Sequence, residues 1–324
     1  MGGIGIVNNP RAARNRRHPD AGARLARLLG DQGAVLDAAS PEELARALAA
    51  FRAAGVDTLA INGGDGTCHM VVTAAVGAWA GAPLPRLLVL RGGTMNTLAA
   101  SHGLRGGPEE LLLAELARRR AGTPPALVER DLLRVEAGGR APVFGFLFGT
   151  GGAVTFLARF YAGRSPSRLR AWLLVARAAG SALVGGALGQ SLTRRELLRV
   201  TADGDEWPDQ AYLTLLAGTV PSLGLGFQAL SRCAEQPGFF HAVGVHGTLP
   251  QVVRMLPRVH RGAPWRRRAA LDVVAREVVV EGEAVRFMVD GDLYPATRTL
   301  RLTTGPGVQV LVAPSAGPAG PRRV

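Results

Sequence analysis

The feature that most restricts the fold is a unit that occurs twice in the first hundred residues: a short apolar run, a glycine-rich turn, then a helix-forming stretch. Residues 56–61 lead into Asn62-Gly63-Gly64-Asp65-Gly66-Thr67 and a helix through Met70 to Ala80. Residues 87–90 lead into Arg91-Gly92-Gly93-Thr94-Met95-Asn96 and a helix from Thr97. Short apolar runs alternating with helical stretches read as strands of a parallel sheet buried on both faces. Ligands of such sheets bind at the carboxyl ends of the strands, so both glycine turns are expected on one ligand-facing edge.

The flanking sequence extends the pattern. Residues 3–8 read as a strand stopped by Asn9-Pro10, followed by a basic loop over 11–18, a helix over 21–29 and a strand over 34–36. Ser40-Pro41-Glu42-Glu43 opens a further helix, with Ser40 as cap, proline in the first turn and Glu43 closing a capping box, while Leu44, Leu48 and Phe51 form its apolar stripe. After a helix over 111–120, Ala121-Gly122-Thr123-Pro124-Pro125 reads as a linker. The texture then turns β-rich, with strands expected at 132–135, 143–148, 197–201, 211–217, 239–245, 277–281, 285–290 and 299–303, and helices at 167–188 and 249–260. A chain of 324 residues favours two domains. The expected class is α/β: a doubly wound, mostly parallel domain over 1–125, possibly completed by the C-terminal segment, then a β-rich, antiparallel, sandwich-like domain over 126–313 and a disordered tail over 314–324.

Composition excludes several designs. The net charge of +13 comes from arginine alone, because the sequence has no lysine. Neither a P-loop nor a protein-kinase site can be built without its lysine, so phosphate must be held another way. Excess positive charge suits an anionic partner, nucleic acid or an acidic membrane surface, or reflects arginine-rich usage with solvated charge. The arginines are scattered and no nucleic-acid module is recognisable, so no nucleic-acid partner is expected. Cys68 and Cys233 form no metal or redox motif, which fits a reducing cytoplasm. The N-terminus lacks the apolar core of a signal peptide. The most membrane-like run, 171–189, is broken by Arg177, Ser181 and Gly185-Gly186, and reads as an amphipathic or buried helix rather than a span.

Two motifs carry chemistry. Gly63, Gly64 and Gly66 let backbone amides approach a phosphate where no side chain would fit, and Thr67 adds a hydroxyl donor. Asp65 would repel a bare phosphate, so it makes sense chiefly as a Mg²⁺ ligand or a proton acceptor. The plainer reading is a tight strand-to-helix turn. Asp290-Gly291-Asp292 likewise reads either as an ordinary hairpin turn or as an acidic site.

Taken in order and spacing, Asn9-Pro10, Gly63-Gly64-Asp65-Gly66-Thr67, Gly93-Thr94-Met95-Asn96-Thr97-Leu98-Ala99 and Asp290-Gly291-Asp292 resemble the bacterial diacylglycerol kinases and related lipid kinases, including sphingosine and ceramide kinases. The resemblance covers nearly the whole chain, from Ile4 to about Ala313. GGDGT alone also occurs in NAD kinases and phosphofructokinase-like proteins; the GTxN stretch and the late acidic turn point to lipid kinases. The resemblance implies ATP between the domains, held by Asn9, Gly63, Gly64, Asp65, Gly66, Thr67, Gly93, Thr94 and Asn96, with Mg²⁺ near Asp65. It also implies Asp292 as proton acceptor from a lipid hydroxyl, where the family usually has glutamate, with Asp290 orienting the turn. Catalysis is thereby expected of Asp292, Asp290 and Asp65.

The chain departs from the family at several points. Cys68-His69-Met70 stands where a run ending in glutamate is common, Ala12-Ala13 replaces a Ser-Gly pair, and Glu235-Gln236-Pro237-Gly238 replaces an acidic turn that holds a structural Mg²⁺ in some members. That metal site is not expected here. His69, at the start of a helix, reads as a polar helix-face residue or else a functional one, though not as a catalyst, and the helix over 167–188 as packing that could also cover an acyl-chain pocket or touch a membrane. The expected activity is ATP-dependent phosphorylation of a lipid hydroxyl by a cytoplasmic protein, peripheral at the membrane, with diacylglycerol and sphingoid acceptors both open. The rivals are an NAD-kinase-like enzyme and a catalytically silent nucleotide-binding or membrane-sensing protein.

Overall fold

The computed structural model describes residues 2–93, 96–162, 173–174, 176–177, 180–181, 186, 194–208, 210–224 and 226–313. Its first part alternates as the apolar periodicity requires: β1 (Ile4–Asn8), α1 (Ala21–Leu29), β2 (Gly33–Asp37), α2 (Pro41–Ala53), β3 (Thr58–Asn62), α3 (Asp65–Ala78), β4 (Arg86–Val89), α4 (Thr97–Ser101) and α5 (Pro108–Arg120). The strands pair in parallel in the order β4-β3-β1-β2. Strand periodicity sorts their side chains. Ile4, Ile6, Ala60 and Leu88 cluster with Leu25 and Leu29 of α1 and Leu112 and Leu116 of α5. Leu59, Ile61, Leu87 and Val89 cluster with Leu44, Leu48 and Phe51 of α2 and Val71 and Val72 of α3. Each buried valine, leucine, isoleucine or phenylalanine among them contributes about 1.5–3 kcal/mol by leaving water, which is why a run this short holds as a central strand.

The start of α2 is the capping box the sequence encodes. Ser40 Oγ accepts the Glu43 N–H at 3.2 Å, and Glu43 Oε2 accepts the Ser40 N–H at 3.2 Å and the Ala39 N–H at 2.7 Å. A cap of this kind is worth about 1 kcal/mol.

The second part is antiparallel: β5 (Leu127–Ala137), β6 (Val143–Gly145), β7 (Leu147–Thr150), α6 (Gly152–Tyr161), β8 (Glu196–Ala202), β9 (Asp205–Glu206), β10 (Gln210–Tyr212), β11 (Thr214–Gly218), β12 (Phe240–Val245), α7 (Leu249–His260), β13 (Ala270–Ala275), β14 (Glu277–Val289) and β15 (Asp292–Leu311). Some expected strands divide or merge. Residues 143–148 split into β6 and β7 because the N–H groups of Phe146 and Leu147 go to the Asp290 carboxylate instead of a neighbouring strand. Residues 211–217 split at Leu213, whose carbonyl accepts the Gly152 N–H. Residues 277–290 instead form one strand, with the polar Gly282-Glu283-Ala284 step absorbed as a register shift between Glu281 and Val285. β13 and α6 had no sequence signal distinct from their apolar surroundings. The helix expected over 167–188 lies mostly, and the tail after Pro314 entirely, outside the described residues.

One sheet runs through both parts, in the order β13-β12-β11-β7-β14-β15-β4-β3-β1-β2. The end of β15 joins them, pairing antiparallel with β5 and placing Val310 beside Leu87 of β4 in parallel. The largest core cluster is also shared: Leu59 and Ile61 belong to the same buried group as Phe146, Leu216 and Val243. Pairing changes from parallel to antiparallel after α5, and we propose residue 125 as the domain boundary on that ground. Both cysteines are free and buried. Among the described residues no helix is long and apolar enough to cross a membrane.

Candidate active site

The carboxyl ends of β1, β3 and β4 bring three loops together. The Asn9 N–H donates to the Asn62 carbonyl at 3.1 Å, and Asn9 Nδ2 donates to Thr67 Oγ1 at 2.8 Å, so the loop after β1 grips the first turn of α3. Asn9 Oδ1 accepts the Arg11 N–H at 2.9 Å, a local turn that fixes the side chain. Beneath them Asn15 is buried, its Nδ2 donating to the carbonyls of Asn9 at 2.8 Å and Asn62 at 3.0 Å. Sequence reasoning missed Asn15, since an asparagine inside an arginine-rich loop carries no local signal.

The two glycine turns touch. A Cβ on Gly93 would overlap the Cα of Gly64, so this approach of two backbones excludes any side chain at Gly93. Asn96 holds the second turn, its Oδ1 accepting the Gly93 N–H at 3.0 Å and its Nδ2 donating to the Gly93 carbonyl at 2.9 Å. Its own backbone is left-handed, with φ 50°, a conformation asparagine tolerates better than most residues. Thr94 lies outside the described residues. Asp65 opens α3, where the helix dipole favours negative charge, and its Oδ1 accepts the Leu98 N–H of α4 at 3.3 Å.

The acidic turn arrives from the other part. Asp290 and Gly291, with φ of 46° and 95°, are the central pair of a two-residue hairpin that joins Val289 to Asp292. Positive φ at both positions is what the twist of such a hairpin demands, and Asp-Gly supplies it. The Asp290 carboxylate is buried and folds back on β7, accepting N–H groups of Phe146 at 2.9 Å and Leu147 at 2.8 Å. Burial pushes its pKa well up, against those two donors and with the nearby Asp65. Asp292, next along the chain, is half-buried and carries no comparable backbone anchor. A Cβ on Gly66 would stand 2.5 Å from its Oδ1, so its carboxylate lies directly over the GGDGT turn. Burial pushes the Asp292 pKa up to about 6. Gly64, Gly93, Asp65, Asp290 and Asp292 are thus brought to one place.

His69 corrects an expectation. It is only 1% exposed and is no surface residue of the helix face. Burial lowers its pKa to about 4, so the ring is neutral. A carbonyl can only accept, so Nδ1–H donates to the Phe144 carbonyl at 2.7 Å, leaving Nε2 to accept the Tyr294 hydroxyl at 2.6 Å. Tyr294 stacks on Phe287 at 4.9 Å, and burial first, then Asp292 and Asp290, raises its pKa to about 12, so the phenol keeps its proton. His69 and Tyr294 therefore tie α3, which begins with Asp65, to the strand that begins with Asp292. A second tyrosine reaches the site from α6: the Tyr161 hydroxyl lies 3.1 Å from the Cβ position of Gly291. The residue as a whole is 48% exposed, but burial of its hydroxyl, then Asp65 and Asp292, raises its pKa to about 12.

Beside this cluster is a cavity of about 320 Å³. Asp65, Asp290 and Gly291 line it together with Tyr161, and the rest of its wall is almost wholly apolar. That wall comes from α6 (Ala153, Phe156, Leu157, Phe160), β11 (Leu216), α7 (Val252, Leu256, Val259) and Trp265.

Residues 4–123 match the family model described as the diacylglycerol kinase catalytic domain, which spans both glycine turns. That segment is a diacylglycerol kinase catalytic domain. The late acidic turn lies outside the matched segment, between β14 and β15. A structure described as a diacylglycerol kinase from Bacillus anthracis str. Sterne is similar at 15% identity with a TM-score of 0.63, covering 97% of this chain and 98% of its own. Yeast NADH kinase in complex with NADH is similar at 11% identity with a TM-score of 0.54, covering 97% of this chain and 84% of its own. At these identities the likeness is one of fold. No curated protein sequence matches the chain. The match to the diacylglycerol kinase catalytic domain supports a kinase, a phosphotransferase whose acceptor is an alcohol group.

Proposed function

We propose that the chain transfers the γ-phosphoryl group of Mg²⁺–ATP to the hydroxyl group of a membrane lipid of the diacylglycerol or sphingoid kind. One observation carries the acceptor class: Asp65 and Asp290 of the acidic cluster line a cavity that is otherwise almost wholly apolar. A lipid whose hydroxyl sits at Asp292 has somewhere to put its hydrocarbon, worth about 0.8 kcal/mol per methylene removed from water. A dinucleotide acceptor would have to place polar ribose and base against Phe156, Phe160 and Leu216, leaving those polar groups unpaired.

The residues present fit a magnesium nucleotide. Among the described residues no cluster of three metal-ligating side chains occurs. Mg²⁺ needs none in a kinase, because it takes one or two carboxylates and fills its remaining positions with phosphate oxygens and water. Asp65 is the carboxylate placed for this, at the head of α3 and beside the backbone amides of Gly63, Gly64, Gly66 and Gly93. When bound, Mg²⁺–ATP supplies the phosphoryl group and neutralises the charge that its transfer develops.

The chain's own residues do the rest. The backbone of the two turns, set by Asn9, Thr67 and Asn96, holds phosphate in register. Asp292 accepts the proton of the lipid hydroxyl; at a pKa of about 6 it is ionised at pH 7 yet more basic than an ordinary aspartate. Asp290 fixes the turn that carries it. General-base help of this sort is worth about 10²–10⁴-fold, the larger share of catalysis being alignment and charge stabilisation.

Transfer from γ-labelled ATP to a panel of diacylglycerol, monoacylglycerol, sphingosine and NAD, with Asp65→Asn as the blank, tests the proposal. Label is expected in the organic-extractable lipid. Label in NAD alone would move the chain to the NAD-type branch. Tight ATP binding with no labelled product would make it a silent nucleotide binder, the reading that Met70, Ala12-Ala13 and Asp292 motivate.

A further inference from the structure

We infer that α7 and the loop after it form a docking face for an anionic lipid bilayer. The stretch from Gln236 to Leu271 contains no aspartate or glutamate but holds Arg254, Arg258, Arg261, Arg266, Arg267 and Arg268. All six are exposed, and among the described residues none of them takes part in an ion pair. This contrasts with arginines elsewhere in the fold: Arg119 and Arg232, for example, are each bound to two carboxylates.

The spacing makes the face. Arg254, Arg258 and Arg261 recur at four and three residues, one side of a helix, whereas Val252, Met255, Leu256 and Val259 occupy the opposite side. Three of those four line the apolar cavity, as does Trp265 in the following loop, whose Nε1–H donates to the Ala229 carbonyl at 3.0 Å. Arg266, Arg267 and Arg268 come directly after that fixed tryptophan. One element therefore walls the hydrocarbon cavity with one side and offers unneutralised guanidinium groups with the other.

Charge complementarity selects the partner. Anionic lipid head groups attract juxtamembrane arginines with about a fivefold gain in binding for each one near the surface. Nucleic acid would satisfy the charge alone. A bilayer satisfies both sides of α7, since an acceptor leaving it passes into a cavity that the same helix bounds. That passage rests on the lipid-acceptor reading; the docking itself does not.

Flotation with vesicles, in the absence of nucleotide, tests this. The full chain is mixed with phosphatidylcholine vesicles, or with vesicles also containing phosphatidylglycerol, at low and high sodium chloride. Binding is expected only to the anionic vesicles and is expected to weaken with salt, as screening shortens to about 3 Å near 1 M. Replacing Arg266, Arg267 and Arg268 by Gln should lower vesicle affinity by about 100-fold. Replacing the exposed Arg27, Arg46 and Arg140 by Gln removes the same charge elsewhere and should lower it by less than about fivefold. Thermal unfolding confirms that both triple variants fold.

Equal losses in the two triples would reduce the effect to net charge and overturn the proposal. So would equal binding to neutral vesicles, or binding to duplex DNA without binding to anionic vesicles. Vesicle docking without lipid phosphorylation would sink the kinase reading alone. Lipid phosphorylation in detergent micelles, with vesicle binding indifferent to Arg266–Arg268, would sink the docking face alone.

Discussion

Gly66→Ala is the perturbation that separates folding from chemistry at this site. Gly66 is the second residue of α3 and its backbone is helical, so alanine fits there and its higher helix propensity favours folding by up to about 1 kcal/mol. The new methyl, however, would lie 2.5 Å from Oδ1 and 3.1 Å from Cγ of Asp292, where ordinary contact begins at 3.4 Å. The carboxylate must retreat by about 1 Å to restore a normal separation. Its backbone cannot follow, because Asp290 is tied to the N–H groups of Phe146 and Leu147 on one side of the turn and Tyr294 to His69 on the other. The side chain has to swing away from the acceptor.

A misplacement of that size in a reacting group costs about 10²-fold in rate, near 2.7 kcal/mol of barrier. Turnover with saturating ATP and acceptor is expected to fall by about 100-fold, while the unfolding temperature stays level or rises. The methyl also faces the phosphates, so the effect has to be assigned. In an Asp292→Ala background the carboxylate is gone, and adding Gly66→Ala should then cost little more. Turnover of Gly66→Ala within threefold of the wild type, or losses that simply add in the double variant, would refute the claim that the two halves of the site meet through this contact.

Three further outcomes follow from the same geometry. The pH profile of kcat/KM should show an acid limb near pH 6, the value to which burial raises Asp292, and Asp292→Asn should abolish that limb; a limb in the ordinary carboxylate range near pH 4 would contradict the assignment. A carboxyl whose folded pKa is raised favours the folded state while protonated, so its ionisation costs stability as the pH rises from about 4 through about 6. Asp292→Asn should accordingly raise the unfolding temperature at pH 8, with the gain vanishing below about pH 4. Tyr294→Phe leaves His69 Nε2 buried without its donor and should cost about 1–3 kcal/mol in chemical denaturation, together with a fall in kcat larger than any change in the KM for ATP; an unchanged kcat would leave the pair a purely structural clasp.

The parts of the fold legible in the sequence were those set by local rules. Residues 59–61 and 87–90 had to be central strands because their side chains are apolar on both faces, and Ser40 through Glu43 had to start a helix because each group there caps another. The cavity was not legible. Its wall draws Phe156 from α6, Leu216 from β11 and Val252 from α7, and each looks like an ordinary core residue until the fold brings them to one cavity. Tyr161 was missed for the same reason. His69 was misjudged because a polar residue in the first turns of a helix is usually wet; only the approach of Phe144 and Tyr294, 75 and 225 residues away in sequence, makes it a buried tie.

The acidic turn shows why choosing between a bland hairpin and a functional site was the wrong question. Positive φ at Asp290 and Gly291, which the hairpin requires, is what sends the Asp290 carboxylate back to β7 and leaves Asp292 facing Gly66. The turn is the means of aim. Related kinases commonly have glutamate at this second acidic position, and the shorter aspartate must bring its backbone closer to the acceptor. The aspartate oxygen already stands 2.5 Å from the Cβ position of Gly66, so a longer stem, by roughly 1.5 Å, has no room to extend and must fold into a strained rotamer or displace α3. Asp292→Glu should keep the acid limb of the pH profile, since the carboxylate remains, yet lose roughly tenfold or more in kcat from misplacement. If Asp292→Glu instead matches or exceeds the wild type, the carboxylate is not held against Gly66 during turnover, and the turn reaches its acceptor from some other position.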